Sequence, residues 1–576
     1  MKDLLAVARG EKPADFVVKG ARVANVFTLE YEDADVAVYG EKIAGVGKGY
    51  EGRSVVDGKG KVLIPGMIDG HVHIESSMLV PEVFADQVAL HGTTAVMSDP
   101  HEIANVLGMR GVEYMYMASR GLPVDVFLGA PSCVPASEFE TPFEGLEMDR
   151  IREMFRRGWC QHLGEVMNFP GVIGGDDAIW GKIQAAGDVP LTGHAPGVSG
   201  SGLCAYIAGG ISSDHESSRP EEGLEKLRRG MWLMMREGSS THDLGRLLPL
   251  VLERPQLSSR CMVVSDDVSA QDLLKGHMDE KIRIMAGNGL DPLVALRMVT
   301  LSPAEYFGLK DRGAIGPGRL ADMALVKDLE TCEIEKVWKN GQLTVDGGRR
   351  CSSEENSRRE SVLFIKPATV KAPTLSQLAI PFPHGAELNV IGLNEGLLST
   401  RKLTLRPSIR DGLAVADAKR DIAKIVVQNR HRETEHFALG FVCGLGLTKG
   451  AIASSVAHDA HNFIAVGMDD LSIATALAQM GENGGGLVAA EGSTVTGYFP
   501  LPVAGLMTTL DVATAARGLR EVEKRACALG MEVPHPFMVL SFLSLSVIPE
   551  LRITDKGYVD ITKGGIQPIF SFVEFR

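Results

Sequence analysis

The chain lacks paired cysteines, excess positive charge and an uninterrupted apolar segment. Its eight cysteines include no C-x-x-C pair, which argues against a disulfide framework or a thiolate zinc site and favours reduced thiols. The net charge of −14 is unfavourable for nucleic-acid or membrane-surface partners. Glu11, Lys12 and Asp15 stand where a signal peptide would be apolar, and Lys449 interrupts the apolar run 437–457. We therefore expect a cytoplasmic protein.

The length and residue pattern indicate several domains. With 576 residues, 45% of them hydrophobic, the chain can form two or three cores. Short alternating segments fill the first 60 residues and return after residue 311, which predicts one small domain of antiparallel strands built from both flanks, 1–64 and 311–348. A polar stretch, 349–359, predicts a linker. The remaining segment, 360–576, mixes strand-like and helical runs and predicts an α+β domain.

The middle segment, 65–310, has the length of a (β/α)8 barrel. Helical stretches such as 81–90 and 221–229 separate eight candidate strands. These strands are 67–73, 94–98, 124–128, 161–166, 189–194, 210–214, 231–236 and 261–266. The predicted fold class is therefore α/β, a TIM-like barrel with a small β domain from both flanks and a C-terminal α+β domain.

The candidate strand ends carry a set of metal-binding residue types. His71 and His73 end the first strand, and residues two apart on a strand point to the same side. Active-site residues of such barrels lie at the carboxyl ends of different strands, where this chain has Glu165, His194, His215 and Asp266. Four histidines and two carboxylates are enough for two divalent ions, of which zinc, manganese or iron suit nitrogen and oxygen ligands. Metal-activated water then predicts a hydrolase.

Three longer motifs make the resemblance more specific. They are His71–Met78 (HVHIESSM), 98–106 (SDPHEIANV) and 455–462 (SVAHDAHN). Together they resemble the bacterial adenine deaminases, within the amidohydrolase superfamily, over nearly the whole chain. The resemblance implies a barrel carrying a small β-sandwich. It also implies hydrolytic deamination of adenine to hypoxanthine and ammonia, by a metal-bridged hydroxide that attacks C6.

The same resemblance implies cofactors, partners and residue roles. It implies two divalent ions, manganese or iron with zinc possible, a small purine base as substrate and a homo-oligomer, by analogy a dimer. The implied metal ligands are His71, His73, Glu165, His194, His215 and Asp266, with Glu165 as the bridge. The implied catalytic residues are Asp266, Glu75 and His215, and the implied substrate-binding residues are His101, Glu102 and Asp99.

Several alternatives stay open from the sequence. Asp267 could replace Asp266 as the strand-eight ligand. Glu75, the candidate proton donor to N1 of the base, could instead be a helix-entry carboxylate, and the residues after strand two could form a capped loop. The cluster of His458, Asp459 and His461 could bind metal, although a buried turn is favoured.

The rival functions are a hydrolase of cyclic amides, of hydantoinase or dihydroorotase type, and a non-catalytic metal-binding scaffold. The cyclic-amide hydrolases generally carry a lysine where this chain has Glu165. The adenosine deaminase pattern is not met, because the stretch 195–200 after His194 contains no carboxyl group.

Overall fold

The structure is a computed structural model that describes residues 2–351, 370–394, 399–431 and 436–572. Its centre is a barrel of eight parallel strands. In chain order these are Met67–His73, Thr93–Ser98, Asp125–Ala130, Cys160–Val166, Leu191–Gly193, Ser213–Asp214, Trp232–Arg236 and Cys261–Val264, with Asp266–Asp267 continuing the eighth. The predicted barrel is confirmed. The sixth strand is shorter than expected because Gly209 and Gly210 end the preceding helix.

Hydrogen bonds close the barrel at both seams. Strands one to five pair in order, as do strands six to eight. The Ser212 amide donates to the Leu191 carbonyl at 3.1 Å, which joins strands five and six. Asp266 and Asp267 pair in parallel with Val72 and His73, which joins strand eight to strand one. The carboxyl ends of all eight strands therefore share one rim.

Helices surround the barrel and begin at clear sequence signals. Proline occupies the first turn of the helices that start at Pro81, Pro220 and Pro292, where its missing amide hydrogen costs nothing. Asp176 caps another helix by accepting hydrogen bonds from Ala178 and Ile179. The helices of this region are Pro81–Leu90, His101–Leu107, Met109–Ala118, Met148–Arg156, Phe169–Gly174, Asp177–Ala186, Gly200–Ala208, Pro220–Arg228, Leu244–Leu247, Pro249–Glu253, Ala270–Leu273, Met278–Gly287, Pro292–Met298 and Leu301–Tyr306, with 3-10 turns at Ile74–Ser77 and Pro255–Arg260.

The two flanks of the barrel form one β-sandwich, preceded by the helix Lys2–Ala8. One sheet has the order Lys42–Gly47, Asp35–Tyr39, Ala14–Lys19, Gly52–Asp57. The other has the order Arg349–Arg350, Gln342–Asp346, Ile334–Lys339, Met323–Val326, Val62–Pro65, Arg22–Asn25, Glu30–Asp33. Buried residues from both flanks, including Val36, Leu63 and Trp338, form its core.

Two details of this region differ from expectation. Not every pairing is antiparallel, because Ala14–Lys19 runs parallel to Gly52–Asp57 and Arg22–Asn25 runs parallel to Val62–Pro65. The first two residues of the predicted linker form a strand, since Arg349 and Arg350 pair with Asp346 and Val345. The rest of that linker, from residue 352, lies outside the described residues.

The C-terminal segment is a mixed sheet with helices. The sheet order is Thr400–Leu405, Ala386–Leu393, Phe437–Cys443, Ile422–Gln428, Phe463–Gly467, Ala451–Ser454, Gly486–Glu491, Thr494–Pro500, and Phe570–Phe572 pairs with Ala386–Leu393. The smaller strands are Ser408–Arg410, Leu413–Val415, Arg552–Thr554, Gly557–Asp560 and Gly565–Gln567. The helices are Leu375–Leu378, Asp470–Asn483, Val512–Ala528 and Pro536–Phe542, with 3-10 turns at Ala418–Arg420 and Ile561–Lys563.

The C-terminal segment packs on the loops that follow the barrel strands. The Thr508 amide donates to the carbonyl of Met78, just after strand one, at 2.8 Å. The Thr141 amide, after strand three, donates to Asp555 Oδ1 at 3.1 Å. This segment therefore covers the rim where the candidate site residues lie. In the part of the chain that the structure describes, no helix combines the length and apolar character needed to cross a bilayer.

Candidate metal centre and active site

His71, His73 and Asp266 meet where strands one and eight end. Asp266 Oδ1 lies 3.3 Å from Nε2 of His71 and 3.3 Å from Nε2 of His73. The neighbouring Asp267 accepts hydrogen bonds from Ser76 and Ser240. Of the two aspartates, Asp266 is therefore the one aimed at both histidines.

Glu165 connects this group to the histidines of strands five and six. Its Oε1 lies 3.4 Å from His73 Nε2. Its Oε2 lies 2.7 Å from His194 Nδ1 and 3.2 Å from His215 Nε2. The two carboxylate oxygens thus face two separate groups of nitrogens, as a bridging ligand requires.

Backbone contacts orient these side chains from behind. His73 Nδ1 donates to the Asp99 carbonyl at 3.0 Å, which leaves its Nε2 free to bind a cation. Asp99 Oδ2 accepts the Glu165 amide hydrogen at 2.8 Å, linking strands two and four. The His194 amide donates to the Tyr206 hydroxyl at 3.1 Å. These contacts therefore orient the His73 ring and hold the backbone at Glu165 and His194.

These donors fit a divalent-metal centre. Groups such as His71, His215 and Asp266, or Glu165, His194 and His215, place one donor atom each within 4.8 Å of one another. His71 Nε2 is buried without a hydrogen-bond partner among the residues described, a costly state that coordination would relieve. Histidine nitrogens with carboxylate oxygens suit zinc, manganese or iron.

The two carboxylates stay ionised although they are buried. Burial alone would raise the pKa of Asp266, but the neighbouring His71 and His73 rings, together with the charges of His215 and Arg236, hold it well below its ordinary value. Burial likewise opposes ionisation of Glu165, and the neighbouring His215 and His194 keep its pKa low. Both groups can therefore serve as anionic ligands.

Two charged residues beside the centre were missed in the sequence. Glu216 Oε1 lies 3.7 Å from His194 Nδ1 and 3.6 Å from His215 Nε2. Arg236 pairs with Glu216 and reaches Asp266 Oδ2 at 3.4 Å. Arg236 ends strand seven, so its position at a barrel strand end was a signal that could have found it.

The predicted substrate-binding residues divide into two groups. His101 and Glu102 line the cavity at the barrel rim, whereas Asp99 is fully buried and absent from that wall. The prediction for Asp99 therefore does not agree with its position, because its carboxylate is turned toward the Glu165 amide. Glu102 Oε1 lies 2.6 Å from the Ser76 hydroxyl oxygen.

Glu75 is also removed from the cavity wall. It is 1% exposed, and its Oε1 accepts the Ile103 amide hydrogen at 3.3 Å. Burial and the charge of Glu102 raise the pKa of Glu75 to about 8. This placement disfavours the predicted role of Glu75 as the direct proton donor to a bound base. The neighbouring Glu102 is the carboxyl group that lines the cavity.

A cavity of about 660 Å³ opens over the centre. Its wall includes five of the six implied metal ligands, His73, Glu165, His194, His215 and Asp266. The C-terminal segment supplies part of the same wall, through Ser399, His458, Asp459, Phe542, Val547, Ile548 and Pro549. The sequence prediction had favoured a buried turn for His458 and Asp459 and had not placed them at this site.

Comparison with known proteins matches both halves of the chain. Residues 62–344 match the amidohydrolase family, and residues 398–564 match the adenine deaminase C-terminal domain. An adenine deaminase of Dehalococcoides mccartyi is 43% identical over 565 residues, 97% of this chain and 98% of that protein. The chain belongs to the adenine deaminase family. Another member, from Desulfatibacillum aliphaticivorans, is 43% identical over 584 residues, 99% of this chain and 98% of that protein.

This membership confirms the resemblance carried by the three motifs. Among solved structures, a beta-aspartyl dipeptidase from Fervidobacterium islandicum AW-1 aligns with a TM-score of 0.45 at 19% identity, over 60% of this chain and 99% of that one. The adenine deaminase of Dehalococcoides mccartyi aligns with 97% of this chain, and so with the C-terminal segment as well as the barrel. Both segments that line the cavity therefore belong to one family architecture.

Proposed function

We propose that this chain catalyses the hydrolytic deamination of adenine to hypoxanthine and ammonia. The observation that carries the proposal is the convergence of six histidine and carboxylate side chains at one barrel rim, in a chain 43% identical over nearly its whole length to a curated adenine deaminase. The net charge of −14 supports a cytoplasmic enzyme that acts on a free small molecule rather than on nucleic acid or at a membrane.

Two divalent ions complete the site in this proposal. His71, His73 and Asp266 would hold one, His194 and His215 the other, and Glu165 both. Such ions lower the pKa of water toward neutrality and so supply hydroxide at ordinary pH. Nitrogen and oxygen donors suit zinc, manganese or iron, and of these the family resemblance favours manganese or iron.

The chain moves two protons in the reaction. Asp266 stays ionised, so Oδ1 can accept the proton from the attacking water and pass it to the leaving amino group. Arg236 holds Oδ2 at 3.4 Å, which keeps the accepting oxygen aimed at the histidines. His215 stacks on His71 with ring centroids 4.3 Å apart, which packs these two proposed ligands against each other.

The ring nitrogen N1 must gain a proton as C6 becomes tetrahedral. We assign this transfer to Glu102, because its carboxyl lines the cavity and Ser76 lies 2.6 Å from its Oε1. Glu102 would regain the proton from the hydroxyl group on C6 as the carbonyl of hypoxanthine forms, so that both protons of the water are used. Glu75 lies behind Glu102 and holds a proton at neutral pH, which limits repulsion between the two carboxyls.

The test is ammonia release by the purified chain loaded with Mn(II). Adenine, adenosine, a hydantoin and dihydroorotate are offered separately, and bound metal is counted by elemental analysis. We expect ammonia from adenine and two ions per chain. Ammonia from adenosine but not adenine would reject the free-base assignment, hydrolysis of the cyclic amides would favour the rival hydrolase, and a metal-loaded chain inert to all four would favour the scaffold.

A further inference from the structure

We propose that the C-terminal segment recognises the imidazole edge of the purine through His458 and Asp459, and thereby selects the free base over its nucleosides. The inference rests on the proposed function and deepens it. It names binding residues for the five-membered ring of the substrate, which lies away from C6. The proposed metal ligands of the barrel act at C6 and do not account for recognition of that ring.

The position of the two residues is the first argument. His458 and Asp459 follow the strand Ala451–Ser454 and line the cavity that also contains Glu165 and His194. They are 9% and 3% exposed, so they form an enclosed wall rather than an open rim. A ligand bound at the barrel ligands therefore meets the C-terminal segment on its far side.

His101 shows how far this wall stands from the centre. Its Nδ1 lies 3.5 Å from Glu165 Oε1, and its Nε2 lies 3.9 Å from Asp459 Oδ1. Asp459 is thus about one imidazole ring farther out than the bridging carboxylate. A purine with C6 at the barrel ligands extends its five-membered ring in the direction of such an outer wall.

Asp459 is built to accept a hydrogen bond that the chain does not supply. Its Oδ2 is buried and has no hydrogen-bond partner within the described ranges. A buried carboxylate oxygen without a donor costs free energy, which a donor on a ligand would recover. The five-membered ring of a free purine base carries such a donor, the hydrogen on N9.

His458 supplies the complementary donor. Its ring stacks on Phe542, with centroids 4.9 Å apart and planes at 23°, which fixes its orientation. Its Nδ1 faces two carboxylates, Asp459 at 3.7 Å and Glu102 at 4.0 Å. These neighbours favour an imidazolium, which leaves the Nε2 hydrogen available to a ligand acceptor. N3 of the purine stands next to N9 and is such an acceptor.

This pairing has a direct consequence for specificity. A nucleoside carries ribose on N9, so it loses the donor to Asp459 and brings added bulk to an enclosed wall. Sites that hydrogen-bond a substrate N–H discriminate strongly against analogues that lack it, because the buried partner is then left unpaired. The free base is therefore selected without any change at the metal ligands.

The test compares adenine with 9-methyladenine, which lacks the N9 hydrogen. In the Mn(II)-loaded full chain we expect Asp459→Ala to lower kcat/KM for adenine by about 10- to 100-fold, mainly through KM. The rate with 9-methyladenine stays unchanged. Asp459→Asn keeps an acceptor oxygen and should restore part of the preference. Glu482→Ala, an exposed carboxyl of the same segment, is the matched control and should change neither rate.

The outcomes separate the inference from the function on which it rests. A wild-type chain that does not deaminate adenine overturns the proposed function. The inference is overturned if the wild-type chain deaminates adenine and the Asp459→Ala variant, with unchanged metal content, keeps the same preference for adenine over 9-methyladenine. Should Asp459→Ala fail to fold, His458→Gln takes its place, with 3-deazaadenine as the probe. Loss of the wild-type preference for adenine over 3-deazaadenine supports the role of His458, and its retention contradicts it.

Discussion

Lys226 provides the sharpest stability prediction, because it is a fully buried cation behind two predicted metal ligands. Its side chain is 0% exposed. Four oxygens lie within hydrogen-bond distance of its Nζ and share its three hydrogens, on Asp214 at 2.8 Å, Ala195 at 2.8 Å, Glu222 at 2.9 Å and Ser217 at 3.0 Å. Asp214 precedes His215 and Ala195 follows His194 in the sequence. One ammonium group therefore ties the ends of strands five and six together.

The change Lys226→Met keeps the apolar stem and removes the charge. Asp214, which is 0% exposed, would keep its bonds from the Ala195 amide at 2.9 Å and from Ser217 at 2.7 Å. It would lose its buried cation. Breaking one partner of a buried ion pair typically costs about 3–5 kcal/mol, which lowers the melting temperature by roughly 10 °C.

Thermal unfolding followed by circular dichroism, together with a count of bound Mn(II), measures this effect. We expect the variant to melt about 10 °C lower and to bind metal more weakly, since His194 and His215 lose a shared support. Lys275→Met is the control, because Lys275 is 67% exposed in its 2.7 Å pair with Asp272 and such surface pairs contribute little. A Lys226→Met chain that melts within 2 °C of the wild type would refute the reasoning.

Three further predictions concern charge. Glu165→Gln should lose metal and activity together, since an amide cannot present two acceptor oxygens; two bound ions at full rate would disprove the bridge. Arg236→Met should lower kcat while metal stays bound, because the unpaired negative charge of Glu216, 3.6 Å from His215, would then oppose the negative charge that develops on the purine ring; unchanged kcat would contradict this. Burial and the charge of Asp459 raise the pKa of Glu140 from 4.5 to about 8. The folded chain then keeps a proton that the unfolded chain releases, so the free energy of unfolding falls as pH rises between these values. In Glu140→Gln the melting temperature should therefore depend less on pH between pH 5 and 8 than in the wild type. An unchanged dependence of the melting temperature on pH would count against this prediction.

The barrel and the convergence of the six candidate ligands could be predicted because their signals are local. His71 and His73 stand two apart at the end of an apolar strand, a spacing that aims both rings to one side. Glu165 and Asp266 end strands whose alternation with helices is visible in the sequence. Each donor was found from its own strand, and the shared carboxyl-terminal rim of a barrel then brought them together.

The residues that support the centre could not be predicted in the same way. Lys226 lies in the charged helix Pro220–Arg228, where its spacing resembles that of a solvent-facing lysine. Its burial depends on the loop after strand five folding back over it. Asp99 looked like a ligand for substrate, but its side chain turns toward the Glu165 amide, a contact that exists only once strands two and four are assembled.

The contribution of the C-terminal segment was hidden for a related reason. His458 lies more than 180 positions after Asp266 in the chain, and no pattern within its own segment indicates which surface it meets. Its place in the cavity follows from packing contacts such as Thr508 with Met78 and Thr141 with Asp555. Sequence spacing predicts neighbours within an element, whereas this wall depends on how two folded units meet.

The charges around the centre explain why Arg236 stands beside it. Glu165 and Asp266 are the two carboxylates aimed at the histidines, and Glu216 would add a third negative charge 3.6 Å from His215. Arg236 forms an ion pair with Glu216 and so neutralises this third negative charge. In the proposed reaction, two divalent ions held by only two carboxylates would leave a positive centre, which would stabilise the negative charge that develops on the purine ring when C6 is attacked. A third carboxylate without a paired cation would weaken that stabilisation. The guanidinium of Arg236 therefore keeps the centre positive, as the proposed reaction requires.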